Sequence, residues 1–134
     1  MGESKTVLVV EDDPDILFLE AVALERRGYT VHQASNGFDG LDVIRNGLPD
    51  LILLDVGMPV MDGPSFAREL HALHNSNTPP IILVTAHSDA SLIASQIGAV
   101  AVVPKPFDIS TLVGAVAHHF TGPQKTEEIA GRKA

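Results

Sequence analysis

Five short strand-like runs punctuate this chain: Thr6–Val10, the weaker Tyr29–Ala34, Leu51–Leu54, Ile81–Val84 and Val100–Val103. The third and fourth are apolar at every position, the pattern of strands buried on both faces of a sheet. Helical punctuation fills the gaps. Asp13 then Pro14 opens a helix, with Asp as N-cap and Pro at the first helical position; Leu17, Ala21 and Leu24 follow at helical spacing and Gly28 stops it. Phe38, Leu41 and Ile44 predict a second helix over residues 37–46, ended by Gly47 and Pro49. Asp62-Gly63-Pro64 starts a third, with Phe66, Leu70 and Leu73 as its inner stripe. Ser88 is the expected cap of a short fourth helix ended by Gly98, and Asp108 caps a fifth in which Leu112, Val116 and Phe120 recur every four residues. Strand and helix thus alternate five times, which predicts an α/β fold: a parallel five-stranded sheet, doubly wound, with helices on both faces. Right-handed crossovers leave few topologies open.

In a parallel sheet every strand's carboxyl end faces the same way. The apolar run Leu51–Leu54 ends abruptly in Asp55, where open α/β sheets bind their ligands. The same edge receives Glu11 and Asp12 from the first strand, Thr85 from the fourth and Lys105 from the fifth. Three carboxylates this close repel one another, and a hard divalent cation such as Mg²⁺ relieves the repulsion through oxygen ligands. Lys105 either pairs with Asp55 or clamps an anion, and Thr85 adds a hydroxyl donor. A carboxylate nucleophile, a metal, a lysine and a threonine are what phosphoryl transfer requires. Singly, each has a plainer reading: acids opening a helix, a turn hydroxyl, a solvated lysine, a turn-capping Asp. Their joint arrival at one edge favours the site.

At 134 residues the chain makes one domain. A net charge of −8 argues against non-specific nucleic-acid binding, which needs a basic face. No apolar run is long enough to span a bilayer, no signal-peptide pattern opens the chain, and the lack of cysteine fits a reducing cytoplasm. From Thr121 the residues turn polar, which reads as a frayed tail over 121–134, too short for a second core. The expectation is a stand-alone domain or one cut from a longer protein.

The motifs Val7-Leu8-Val9-Val10-Glu11-Asp12-Asp13, Leu53-Leu54-Asp55 through Met58-Pro59 to Met61-Asp62-Gly63, Pro80-Ile81-Ile82 with Val84-Thr85-Ala86, and Gly98-Ala99 through Lys105-Pro106-Phe107 resemble the receiver domain of two-component response regulators, over residues 5–120. The resemblance implies a flavodoxin-like strand order 2-1-3-4-5. It implies that Asp55 accepts a phosphoryl group from phosphohistidine on a sensor histidine kinase or a histidine phosphotransfer protein, the chain being an acceptor rather than an enzyme. Asp12 would bind Mg²⁺ directly, Glu11 more through water, and Gly57 through its backbone carbonyl, while Thr85 and Lys105 would contact the phosphoryl oxygens. The Lys105-Pro106 bond is expected to be cis. Phosphorylation would switch the face made by the fourth helix, fifth strand and fifth helix, where Leu92, Ile93, Ile97 and Val102 suggest docking of an output partner or a homodimer, unless they are core.

Two positions depart from the family. Val102 stands three residues before Lys105, where the family places a Tyr or Phe whose ring reports the active state; it is otherwise an ordinary strand residue. Gly57 and His87 flank the phosphoryl position. His87 either shields the site or orients water, or is a surface histidine, as His32, His71, His74, His118 and His119 are taken to be. An FMN carrier is disfavoured because Glu11-Asp12-Asp13 would repel phosphate, and a dehalogenase-type phosphatase because Gly57 replaces its second Asp. A degenerate receiver serving as a phosphorylation-independent interaction module is the remaining alternative.

Overall fold

The structure is a computed structural model and describes residues 4–55, 63–74 and 78–131. Strands β1 (Thr6–Val10), β2 (Thr30–Ala34), β3 (Leu51–Leu54), β4 (Ile81–Thr85) and β5 (Ala101–Pro104) alternate with helices α1 (Pro14–Glu25), α2 (Gly37–Asn46), α3 (Gly63–His74), α4 (Ala90–Ile97) and α5 (Ile109–Gly131). All four strand pairings are parallel, and the sheet order is β2-β1-β3-β4-β5. The doubly wound α/β architecture is therefore present in the order that the resemblance implies.

The period-two alternation of a strand explains how one sheet serves two cores. Val7, Val9, Leu51, Leu53, Ile82 and Val84 face α1 and α5, where Leu24, Leu112 and Val116 meet them. Leu8, Val10, Ile52, Leu54 and Leu83 face the other way, against Leu41, Ile44, Phe66, Leu70 and Ile97 of α2, α3 and α4. Each large side chain fully buried this way stabilises the fold by roughly 1.5–3 kcal/mol.

The helix punctuation holds in part. Asp13 caps α1, accepting from the backbone N–H groups of Asp15 and Ile16 at 2.9 and 3.2 Å. Gly28 (φ +95°) and Gly98 (φ +74°) take left-handed conformations that suit glycine at a helix end. Phe38 is not part of the α2 inner stripe: it is 54% exposed, and Gly40 lies inside instead. A Cβ at Gly40 would stand 3.1 Å from Phe66 Cε1 and 3.2 Å from Val10 Cγ2, so the Phe66 ring occupies the room a side chain would need. Ser88 does not cap α4. Asp89 holds that position without a side-chain hydrogen bond, and its N–H donates to His87 Nδ1 at 3.0 Å. Helix α5 continues past Phe120 through the segment whose composition reads as a frayed tail; extending a formed helix requires no new nucleation.

Candidate functional site

Backbone pairing places the site. Glu11 N–H donates to Ala34 O at 3.0 Å, Asp55 N–H to Val10 O at 3.1 Å and Lys105 N–H to Thr85 O at 3.0 Å. Each of these residues is thus stapled one step beyond its strand to the last residue of a neighbour, and their side chains rise from one edge. Ligand atoms of Glu11, Asp12 and Asp55 all lie within 4.8 Å of one another. Glu11 and Asp55 are buried and Asp12 is exposed.

Lys105 spans the acids. Its Nζ forms an ion pair with Glu11 Oε1 at 2.8 Å and donates to Asp55 Oδ2 at 3.2 Å. Burial pushes the Glu11 carboxyl above the usual range; Lys105 and the Asp13 N–H, which donates to Glu11 Oε2 at 3.2 Å, pull it back, while Asp55 adds repulsion. Burial alone would weaken the charge on Lys105, but the Glu11 and Asp55 carboxylates reverse this and raise its pKa. The ammonium is firmly charged.

Thr85 is buried at the end of β4, and its Oγ1 accepts from the His87 N–H at 3.0 Å. The His87 ring is exposed. The Lys105-Pro106 bond is cis, as expected. Gly57, and with it the expected carbonyl ligand, lies outside the described residues. Of the apolar set on the fourth and fifth elements, Leu92 is exposed, Ile93 and Val102 are half-buried against the α2–α4 core, and Ile97 belongs to that core. His119 is not a surface residue either. It is half-buried, edge-on to Phe120 at 5.0 Å, and its pKa is lowered by burial and by His118.

One acidic residue escaped the sequence reading. Glu20 is 1% exposed in the middle of α1, and its Oε2 has no hydrogen-bond partner. Burial first, then the Glu11 charge, pushes its carboxyl up to about 8, with Asp55 adding and Lys105 opposing. The available signal was spacing: Glu20 follows Leu17 by three positions and precedes Leu24 by four, on the inner stripe.

Three hard oxygen donors converging beside a fixed ammonium suit a small divalent cation that keeps part of its water shell. Among the described residues no helix is long and apolar enough to cross a membrane. Comparison with known proteins agrees with the geometry. Residues 7–117 match the response regulator receiver domain model. The transcriptional regulatory protein CseB of Streptomyces avermitilis is 37% identical over 87% of this chain, which spans about half (49%) of CseB. Sporulation initiation phosphotransferase F of Bacillus subtilis is 31% identical over 84% of this chain and 91% of its own length. Among solved structures, the response regulator TrrA of Thermotoga maritima, in complex with Mg²⁺ and BeF, aligns with a TM-score of 0.72 at 33% identity, covering 84% of this chain and 96% of that one. The chain belongs to the response regulator receiver domain family of two-component signalling.

Proposed function

We propose that Asp55 is the phosphoacceptor of this receiver, that Glu11 and Asp12 with Asp55 and the Gly57 carbonyl hold Mg²⁺, and that Thr85 and Lys105 meet the incoming phosphoryl oxygens. The observation that carries this reading is the Asp55 carboxylate, buried yet within 4.8 Å of two further acidic ligand atoms and tied to Lys105 at 3.2 Å. Mg²⁺, when bound, supplies positive charge against the transferring oxygens. The protein's own groups do the rest. An Asp55 oxygen attacks phosphorus in line, an acyl phosphate O–P bond forms, and the N–P bond of the donor phosphohistidine breaks with its electrons returning to the imidazole. Lys105 moves its charge from the Asp55 carboxylate to the phosphoryl group, and the Thr85 hydroxyl donates to a second oxygen. Asp55 takes up one equivalent and is an acceptor, not a turnover catalyst.

The donor is a sensor histidine kinase or a histidine phosphotransfer protein, and the compartment that goes with an ATP-charged kinase is the cytoplasm. Its docking rim is apolar: Ile16 and Leu19 of α1 face Ala86, Pro106 and Phe107 across a cavity of about 370 Å³ that Lys105 also lines, and Phe18 stands exposed on α1. Residues 5–120 form the functional unit. Its output face is α4–β5–α5, where Leu92 and Val100 are exposed. Between Ala90 and Thr121 the formal charges are Lys105 and Asp108, so a partner, or a second copy, would meet this face without facing an acidic array.

Intact mass after incubation with acetyl phosphate and Mg²⁺ tests the assignment. One added phosphoryl group is expected in the wild type, none in Asp55→Asn and none after chelation. An adduct that survives in Asp55→Asn would move the acceptor elsewhere; no adduct in any sample would favour a phosphorylation-independent interaction module.

A further inference from the structure

Away from the acidic edge, helices α3 and α4 leave a groove between them. Two adjoining cavities, of about 340 and 370 Å³, open along it and share His71, Gln96 and Ile97 as a common wall. One end of the groove runs over Thr78, Pro80 and Ile81, where β4 begins, and the other over Pro64, Ala67 and Arg68 of α3. Pro64, Ala67, Arg68 and His71 are spaced i, i+3, i+4 and i+7, so a single face of α3 lines it. Neither cavity shares a residue with the phosphoacceptor site.

The lining has the make-up of a small-molecule site, an apolar floor with a few convergent polar groups. Ala67, Ile81 and Ile97 form the floor; they are buried and belong to the α2–α4 core. Against them stand one guanidinium, one imidazole and one carboxamide. Arg68 is exposed and its Nη2 donates to Ser65 Oγ at 3.1 Å, which leaves its other N–H groups to a ligand. Among the described residues no carboxylate pairs with it. His71 Nδ1 lies 3.2 Å from Thr78 Oγ1; with that hydroxyl donating, the ring carries its proton on Nε2 and becomes a donor as well.

Charge decides the class of ligand. The chain carries 17 acids against 9 lysines and arginines, yet no acid lines either cavity. Glu69 of α3 and Asp89 at the N-cap of α4 both lie outside the lining. An unpaired guanidinium in an acid-free, half-apolar groove favours an anion, and its paired N–H groups match a carboxylate or a phosphate.

We propose that the α3–α4 groove binds a small organic anion, with its charged group on Arg68, His71 Nε2 and the Gln96 amide as further donors, and its hydrocarbon body against Ile97 and Pro80. Arg68 and Gln96 take no part in the phosphoryl chemistry, so the site stands apart from the phosphoacceptor reading.

The test titrates the intact ¹⁵N-labelled chain with sodium benzoate and sodium phenyl phosphate. Benzamide serves as the uncharged counterpart of benzoate, and acetate as the charge without a body. At least one of the two aromatic anions is expected to shift the Arg68 Nε, His71 ring and Gln96 side-chain signals, with a dissociation constant on the order of 1 mM for such a fragment. The tighter of the two identifies the anionic group that the groove prefers. Benzamide and acetate should each bind about tenfold more weakly. Arg68→Gln should weaken the tighter anion about tenfold, the scale of one charge-assisted contact, and Gln96→Ala about threefold. Both side chains are exposed, so amide signals outside the groove should stay as in the wild type and show that the variants are folded. Shifts that miss these three side chains for both anions overturn the site, as does an Arg68→Gln chain that binds as tightly as the wild type. Benzamide matching benzoate overturns the anion preference on which the proposal rests, and acetate matching benzoate reduces the groove to a non-specific contact with Arg68.

Discussion

Glu11, just past the end of β1, and Glu20, within α1, are buried to the same degree, 2% and 1% exposed, and they are satisfied in opposite ways. Glu11 stands at the sheet edge with an ammonium 2.8 Å away and a backbone N–H on its other oxygen. Glu20 stands in a helical stripe, where burial drives its carboxyl toward the protonated form. A countercharge at Lys105 opposes burial at Glu11, and a proton makes Glu20 tolerable. The edge of the sheet is built to carry charge, whereas the layer beneath it suppresses charge.

The largest expected effect comes from erasing that difference. Lys105→Met leaves Glu11 and Asp55 buried beside each other with no ammonium between them. Removing one partner of a buried pair should cost about 3 kcal/mol at neutral pH. Part of the loss should return on acidification, as protons take the place of the ammonium. Urea unfolding at pH 7 and pH 5 checks both statements, in metal-free buffer so that no cation substitutes for the lysine. An unchanged midpoint at pH 7 would mean that water, not Lys105, solvates Glu11.

The second expectation isolates Glu20. Burial raises its folded-state pKa to about 8, whereas in the unfolded chain it ionises near the ordinary glutamate value of 4.5. Between those values the unfolded chain binds fewer protons, so stability falls as pH rises through this window. The loss is on the order of a few kcal/mol by pH 8.5. Glu20→Gln should flatten that slope, and Glu20→Leu should flatten it while raising stability overall, since an apolar side chain suits the stripe. Parallel slopes in wild type and Glu20→Gln would show that water reaches the carboxyl and that it ionises normally.

The same pair shows what was legible in the sequence. Strands β1, β3 and β4 are apolar almost throughout, and a parallel sheet has a single carboxyl edge, so the arrival of Glu11, Asp55, Thr85 and Lys105 at one place followed from chain order. Glu20 could not be placed that way. Its spacing from Leu17 and Leu24 is compatible with the inner stripe, but Leu17-Phe18-Leu19-Glu20-Ala21-Val22-Ala23-Leu24 is apolar on every side, so spacing alone does not single that face out. The fold then leaves Phe18 67% and Leu19 46% exposed while it buries the acid, the reverse of their hydrophobicity. Phe38 and Gly40 teach the same lesson on the opposite face of the sheet. Periodicity points to Phe38 with Leu41 and Ile44, but the Phe66 ring, arriving from another helix, packs over Gly40, which is buried while Phe38 is exposed. Packing between distant segments is what the local pattern lacks.

Asp13 completes the series as an acid engaged by backbone N–H groups, and it carries the smallest expected effect. It is exposed, and its Oδ1 accepts from the N–H groups of Asp15 and Ile16 at the start of α1. Those bonds are to backbone, so the shape of the acceptor should matter more than its charge. Asp13→Ala should destabilise by about 1 kcal/mol, the usual cost of a lost N-cap, and Asp13→Asn by only a few tenths. Both keep the backbone N–H that donates to Glu11 Oε2, so the Glu11–Lys105 ion pair should survive either change. Thermal unfolding of the two variants, read beside the Lys105 side-chain NMR signal, separates the roles. If Asp13→Asn is as damaging as Asp13→Ala, the charge of Asp13 acts on the helix dipole and not only through its cap. If either variant also disturbs the lysine signal, the start of α1 and the site edge are one mechanical unit, and the charge-bearing edge reaches further into the helix layer than Glu11.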